Sequence, residues 1–143
     1  MPDTNPHFLD TSIWQHALLK NSTAEKIESA QALINLQPAI LSTQVISEVC
    51  TELLKRRKLG EETLRNFLED VYTNHRVVEL NKETFLMASD LRRDHKLKLR
   101  DSLIVAAAFL AGAKMIYTDG MKSGLMFREN LQTINPFPKR RRS

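Results

Sequence analysis

With 143 residues, 42% of them hydrophobic and 27% charged, the chain has the makeup of a single globular domain with its own core rather than of a disordered polymer. Its formal charge of +4 belongs to Lys139, Arg140, Arg141 and Arg142 at the C-terminus, since bases and acids balance without them. One cysteine, Cys50, excludes an internal disulfide framework and a multi-cysteine zinc site, and the longest uncharged apolar run, Ser102 to Ala113, is too short for a bilayer.

In chain order, His7 to Leu9 reads as a short strand ending in Asp10, with Thr11 and Ser12 opening a helix that runs to about Lys20. Residues 1–10 carry no secretory pattern, so a cytoplasmic location is expected. After Asn21-Ser22-Thr23, the apolar residues Ala24, Ile27, Ala30, Leu33 and Ile34 recur at helical spacing until Pro38. Ala39 to Leu41 is a second strand, and Ser42 and Thr43 cap the next helix. That helix has the clearest stripe, Ile46, Val49, Cys50, Leu53 and Leu54, and is expected to fray through Lys55 to Lys58 and stop at Gly60.

A helix from Glu61 to Tyr72, a strand from Arg76 to Leu80 and a helix from Lys82 to Asp94 follow. Asp101 is expected to open a helix to Ala111 that is apolar on nearly every side and therefore buried. Gly112 ends it, Lys114 to Tyr117 is a strand, and Leu131 to Ile134 is the last one. Strands alternating with helices imply right-handed crossovers and a mostly parallel sheet between helical layers, a three-layer α/β/α domain. Residues 1–137 are expected to form this domain, and 138–143 a basic tail suited to polyanions, or merely a solvated end or an added purification scar.

Ligands of open α/β sheets bind beyond the carboxyl ends of the strands. Asp10 ends the first strand, Glu48 lies off the apolar stripe of the helix leaving the second, Asp101 starts the buried helix, and Asp119 follows Thr118 after the fourth strand. Carboxylates brought together repel unless a cation compensates, and an all-oxygen donor set favours Mg²⁺ or Mn²⁺ over zinc. Phosphodiester hydrolysis is the natural use of such a centre. Duller roles fit each acid as well. Asp10 and Asp101 suit helix N-termini, worth about 1 kcal/mol each; Glu48 and Glu52 suit a solvated face; Asp119-Gly120 suits a turn.

Five phrases, taken in order, go further. Phe8-Leu9-Asp10-Thr11-Ser12-Ile13-Trp14, Leu41 to Val49 with Glu48, Leu99 to Ala108 with Asp101, Ile116-Tyr117-Thr118-Asp119-Gly120-Met121 and Ile134-Asn135-Pro136-Phe137 together resemble the PIN-domain ribonucleases. The set is closest to their small bacterial VapC-like branch. The resemblance implies an Mg²⁺- or Mn²⁺-dependent endoribonuclease, the toxin of a toxin–antitoxin pair. It also implies a homodimer, an antitoxin protein that covers the cleft, and hydrolysis that leaves a 5′-phosphate. Asp10, Glu48 and Asp101 match the family's three central acids, and Ser12 matches a polar position lining the pocket. The fourth block departs from the pattern. The usual aspartate falls at Gly120, and Asp119 stands one residue early, which leaves open a catalytically impaired domain that binds RNA or protein.

Trp14 and Phe109 read as core, Cys50 as an inert core thiol, and His7, His16, His75 and His95 as incidental. The basic run Arg92, Arg93, His95, Lys96, Lys98 and Arg100 reads either as a solvated face or as a means of positioning phosphate. Arg100, with Ser12 and Thr118, is a candidate for contact with substrate.

Overall fold

The computed structural model describes residues 5–19, 21–56 and 60–137. The elements run β1 (His7–Leu9), α1 (Thr11–Leu19), α2 (Ala24–Asn35), β2 (Ile40–Ser42), α3 (Thr43–Leu54) and α4 (Gly60–Asn74). They continue with β3 (Arg76–Val78), α5 (Lys82–His95), α6 (Leu99–Leu110), β4 (Met115–Tyr117), β5 (Met126–Phe127) and β6 (Leu131–Ile134). The basic run at 139–142 and most of the expected fraying after Lys55 lie outside the described residues, as does Lys20. Among the described residues no helix is long and apolar enough to cross a membrane.

The strands form one sheet in the order β3-β2-β1-β4-β6-β5. All pairings are parallel except β5 with β6. From β1 the chain steps outward through β2 to β3, then crosses back to lay β4 on the other side of β1, in register Phe8 with Ile116. Right-handed crossovers therefore put α1 to α4 on one face and α5 with α6 on the other, the expected three layers. The change of direction between β1 and β4 opens a crevice at their carboxyl ends.

The strands are three or four residues long at most, and burial makes them. Phe8, Leu9, Leu41 and Ile116 have no exposure at all, each side chain worth roughly 1.5–3 kcal/mol once removed from water. Every residue of α6 from Ser102 to Ala108 is buried. Its three consecutive alanines let the helix lie close against the sheet, which fixes where its N-terminus, and with it Asp101, emerges.

Several boundaries differ from expectation for identifiable reasons. Helix α6 begins at Leu99 with Lys98 as a cap that makes no side-chain bond, so Asp101 sits within the first turn rather than opening the helix. Gly60 starts α4 instead of ending α3, with φ at +57°. Strand β3 stops at Val78, because Asn81 already caps α5 through reciprocal bonds with Thr84. The two-residue β5 was not expected; it lies against β6 after the left-handed turn at Gly124.

Candidate active site

The buried run of β1 delivers Asp10 to the crevice, where the residue is only 1% exposed. Its backbone N–H donates to Tyr117 O at 3.1 Å, tying the end of β1 to the end of β4. Its carboxylate accepts from the Thr11 N–H at 2.7 Å and from the fully buried Thr118 hydroxyl at 2.7 Å. Helix α3 starts at Ser42, whose hydroxyl accepts from the Val45 N–H. Burial of Val45, Ile46, Val49 and Leu53 turns Glu48 toward the same crevice, where it accepts from the Thr11 hydroxyl. Helix α6 brings Asp101 in from the other face of the sheet.

These three acids surround a guanidinium. Arg100 Nη2 donates to Asp10 Oδ1 at 2.7 Å and to Glu48 Oε1 at 2.8 Å, while Nε reaches Glu48 Oε2 at 2.9 Å. Nη1 reaches Asp101 Oδ1 at 3.1 Å and, more loosely, Asp10 Oδ2 at 3.5 Å. Partial burial works against the Arg100 charge, but hydrogen bonds to Glu48 and Asp10, and the fields of those carboxylates, outweigh it and push the pKa up. Three carboxylates against one guanidinium still leave the site net negative. Among the described residues no three acid, histidine or cysteine side chains stand together as a metal-binding group. The cation between these acids is Arg100. Their donors suit a hard divalent ion in kind, since Asp10 and Glu48 at Nη2 and Asp101 at Nη1 present only oxygen.

The crevice opens into a cleft of about 450 Å³ lined by Asp10, Ser12, Gln15, Glu48, Arg100 and Asp119 among others. Asp119 lies on its rim, where its carboxylate pairs with His16 Nε2 at 2.7 Å. His16 Nδ1 in turn faces the Ser22 hydroxyl at 2.9 Å, and its ring packs edge-on against Phe137. Ser12 accepts the Asp119 N–H at 3.1 Å, and Thr118 accepts the Gly120 N–H at 3.0 Å, so both hydroxyls fix this loop. A Cβ built at Gly120 meets only the Thr118 hydroxyl, at an ordinary 3.6 Å. A side chain fits there.

Of the residues expected from sequence, Asp10, Glu48 and Asp101 meet around one cation, and Asp119, Ser12 and Thr118 stand at the same cleft. The basic run divides. Arg92 and Arg93 are exposed on α5, with Arg93 paired to Asp90 and Asp94, whereas Arg100 alone turns inward. His16 is not incidental, and the hydroxyl of Thr11, which joins Glu48 to Arg100, carried no signal beyond helix capping. Trp14 is core as expected, and Phe109 is only half-buried, with Arg128 over its ring. Cys50 is half-buried as well, and burial raises its thiol pKa.

The PIN domain family model matches residues 7–121. No sequence among the curated proteins matches the chain. Among solved structures, a toxin–antitoxin complex from Klebsiella pneumoniae is similar, with a TM-score of 0.70 at 18% identity over 93% of this chain and 98% of that one. VapC20 of Mycobacterium tuberculosis, a toxin that cleaves the sarcin-ricin loop, gives 0.61 at 24% identity, covering 80% and 90%. FitAcB from Neisseria gonorrhoeae gives 0.67 at 16% identity, covering 91% and 97%. At these identities the likeness is one of fold.

Proposed function

This chain belongs to the PIN domain family, and from that premise we propose that it is a metal-dependent endoribonuclease, the toxin of a toxin–antitoxin pair. The observation that carries the reading is the convergence of Asp10, Glu48 and Asp101 on a single positive centre at the mouth of an open cleft. These three acids are the residues that would hold Mg²⁺ or Mn²⁺, with Asp119 nearby as a weaker fourth. A divalent ion so held supplies Lewis acidity toward a phosphoryl oxygen and acidifies a water.

The chain's own groups prepare that seat. The Thr11 N–H and the Thr118 hydroxyl lock Asp10, so its oxygens cannot turn away from the cleft. The Thr11 hydroxyl aligns Glu48. Ser12 holds the rim loop, and Arg100 offers a planar fork that matches phosphate geometry. The family resemblance adds an antitoxin protein as partner and a homodimer as the assembly; the toxin–antitoxin complex among the similar structures supports the partner. In this reading residues 1–137 are the nuclease domain and 138–143 a basic extension.

The test is cleavage of an end-labelled single-stranded RNA by the full chain. Cleavage is expected with Mg²⁺ or Mn²⁺, none in EDTA, and almost none from Asp10→Asn or Asp101→Asn variants that keep the wild-type circular dichroism. Cutting that persists in EDTA, or at close to the wild-type rate in either variant, sinks the proposal. A second reading, a PIN domain that binds RNA or protein without cutting, is favoured by Gly120 at the usual fourth acid. Metal-independent RNA binding with no cleavage at any metal concentration is its signature. A matched DNA strand separates a ribonuclease from a DNA-directed enzyme.

A further inference from the structure

We propose that Arg100 is a tethered counter-ion, occupying the cation seat of the acidic cluster until a divalent ion displaces it. The inference rests on the nuclease reading above and goes beyond it, because it makes occupancy of the site a contest between the chain's own side chain and the metal. The geometry makes the two exclusive. Nη2 lies between Asp10 Oδ1 and Glu48 Oε1, at 2.7 and 2.8 Å. An ion reaching the same oxygens at about 2.0–2.6 Å would collide with the guanidinium and be repelled by its charge.

Three features make Arg100 displaceable rather than structural. Its side chain is 37% exposed, so a route to solvent exists. It sits in the first turn of α6, where the positive end of the helix dipole disfavours a cation, so the acids are what hold it there. Its backbone is pinned independently, because Gln44 Nε2 donates to Arg100 O at 3.2 Å and Ser102 bonds back to Lys98 O. Exit therefore needs only rotation about the side chain. Once a metal neutralises Asp10 and Glu48, the two attractions that hold the guanidinium weaken together. The cleft stays closed to substrate chemistry at low divalent-ion concentration and opens as the ion competes in.

The experiment is Mn²⁺ binding to the metal-free full chain, followed by the electron paramagnetic resonance signal of free Mn²⁺, for wild type, Arg100→Gln and Arg100→Lys. Arg100→Gln is expected to bind on the order of tenfold more tightly, the size of an ordinary coupling between competing sites. Arg100→Lys keeps the charge without the fork and is expected to fall between. Thermal melts in EDTA and in Mn²⁺ provide a second readout. Arg100→Gln should melt lower than wild type in EDTA, with its acids uncompensated, and gain more from Mn²⁺. A variant that folds only with Mn²⁺ supports the proposal equally. Equal Mn²⁺ affinity in wild type and both variants overturns the counter-ion role alone. Folded chains that bind no Mn²⁺ in any form overturn the metal-site reading and this inference with it.

Discussion

At the carboxyl end of the sheet, Asp10, Glu48 and Asp101 share one guanidinium beside open solvent. At the amino end, His7 and His75 are buried with Nε2 atoms that meet no hydrogen-bond partner among the described residues. The His75 Nδ1 accepts the Ala39 N–H at 2.9 Å, so the neutral ring carries its proton on Nε2, 4.0 Å from the nearest Asp70 oxygen. Trp14 packs edge-on against that ring. One end gathers acids where solvent and a cation can reach them; the other buries imidazoles to complete a core. Buried ionisable groups alone do not mark a site. What separates the two ends is whether the groups converge on one point with room in front of it.

The largest effect expected from this contrast is on cleavage. Replacing Asp10 by Asn should lower the rate by roughly a hundred- to a thousandfold, the range for removing one electrostatic anchor of a reacting phosphoryl group, while His75→Asn should leave the cleavage rate per folded molecule unchanged. A comparable loss from both would erase the distinction between the ends. Next in size is a gain. Gly120→Asp places a carboxylate where the resemblance expects one, in a backbone conformation outside the left-handed region and with a 3.6 Å clearance to Thr118. Mn²⁺ affinity should rise by roughly fivefold, equivalent to about 1 kcal/mol for one more partly solvated carboxylate beside a cation. Calorimetric titration checks it, and an unchanged affinity would mean that the loop points away from the metal seat.

The sequence made the acidic end legible because each acid sits at a boundary that patterning reveals. Asp10 follows an apolar run, Glu48 stands off an apolar stripe, and Asp101 precedes a helix too apolar to be anything but buried. Topology then needed only the handedness rule. Arg100 was less legible. Within a run of six basic residues nothing local tells which one turns inward; that is decided by acids 52 and 90 positions away. The His16–Asp119 pair spans 103 positions and was invisible for the same reason. Strand β5 is only two residues long and pairs backward, too short for periodicity to register.

The amino end has its own test. Burial lowers the pKa of the His75 imidazole from the ordinary 6.5, with His7 adding to the effect and Asp70 opposing it. The folded chain therefore takes up this proton only at lower pH than the unfolded chain does. Between the two pKa values the unfolded state binds more protons, so stability is full above about pH 6.5 and declines as pH falls toward the depressed folded value. Melting temperature should drop between pH 7 and pH 5. His75→Asn, whose side-chain oxygen can still accept the Ala39 N–H, should show a shallower drop. An equal slope in the variant would show that His75 does not carry the pH dependence.

The smallest effect is expected at the rim between these extremes. Asp119 and His16 form a partly exposed pair, at 32% and 17% side-chain exposure, and such pairs contribute about 1 kcal/mol or less. Asp119→Asn preserves the backbone N–H that Ser12 accepts and can still hydrogen-bond His16. It should therefore change melting temperature little and cleavage by no more than a few-fold. The comparison with Asp10→Asn is the informative quantity. If the two variants lose cleavage equally, Asp119 leaves His16 and joins the three inner acids during the reaction, and the centre has four carboxylates despite Gly120. If the loss at Asp119 stays small, three acids suffice, and the gain expected from Gly120→Asp measures what the displaced fourth would have added.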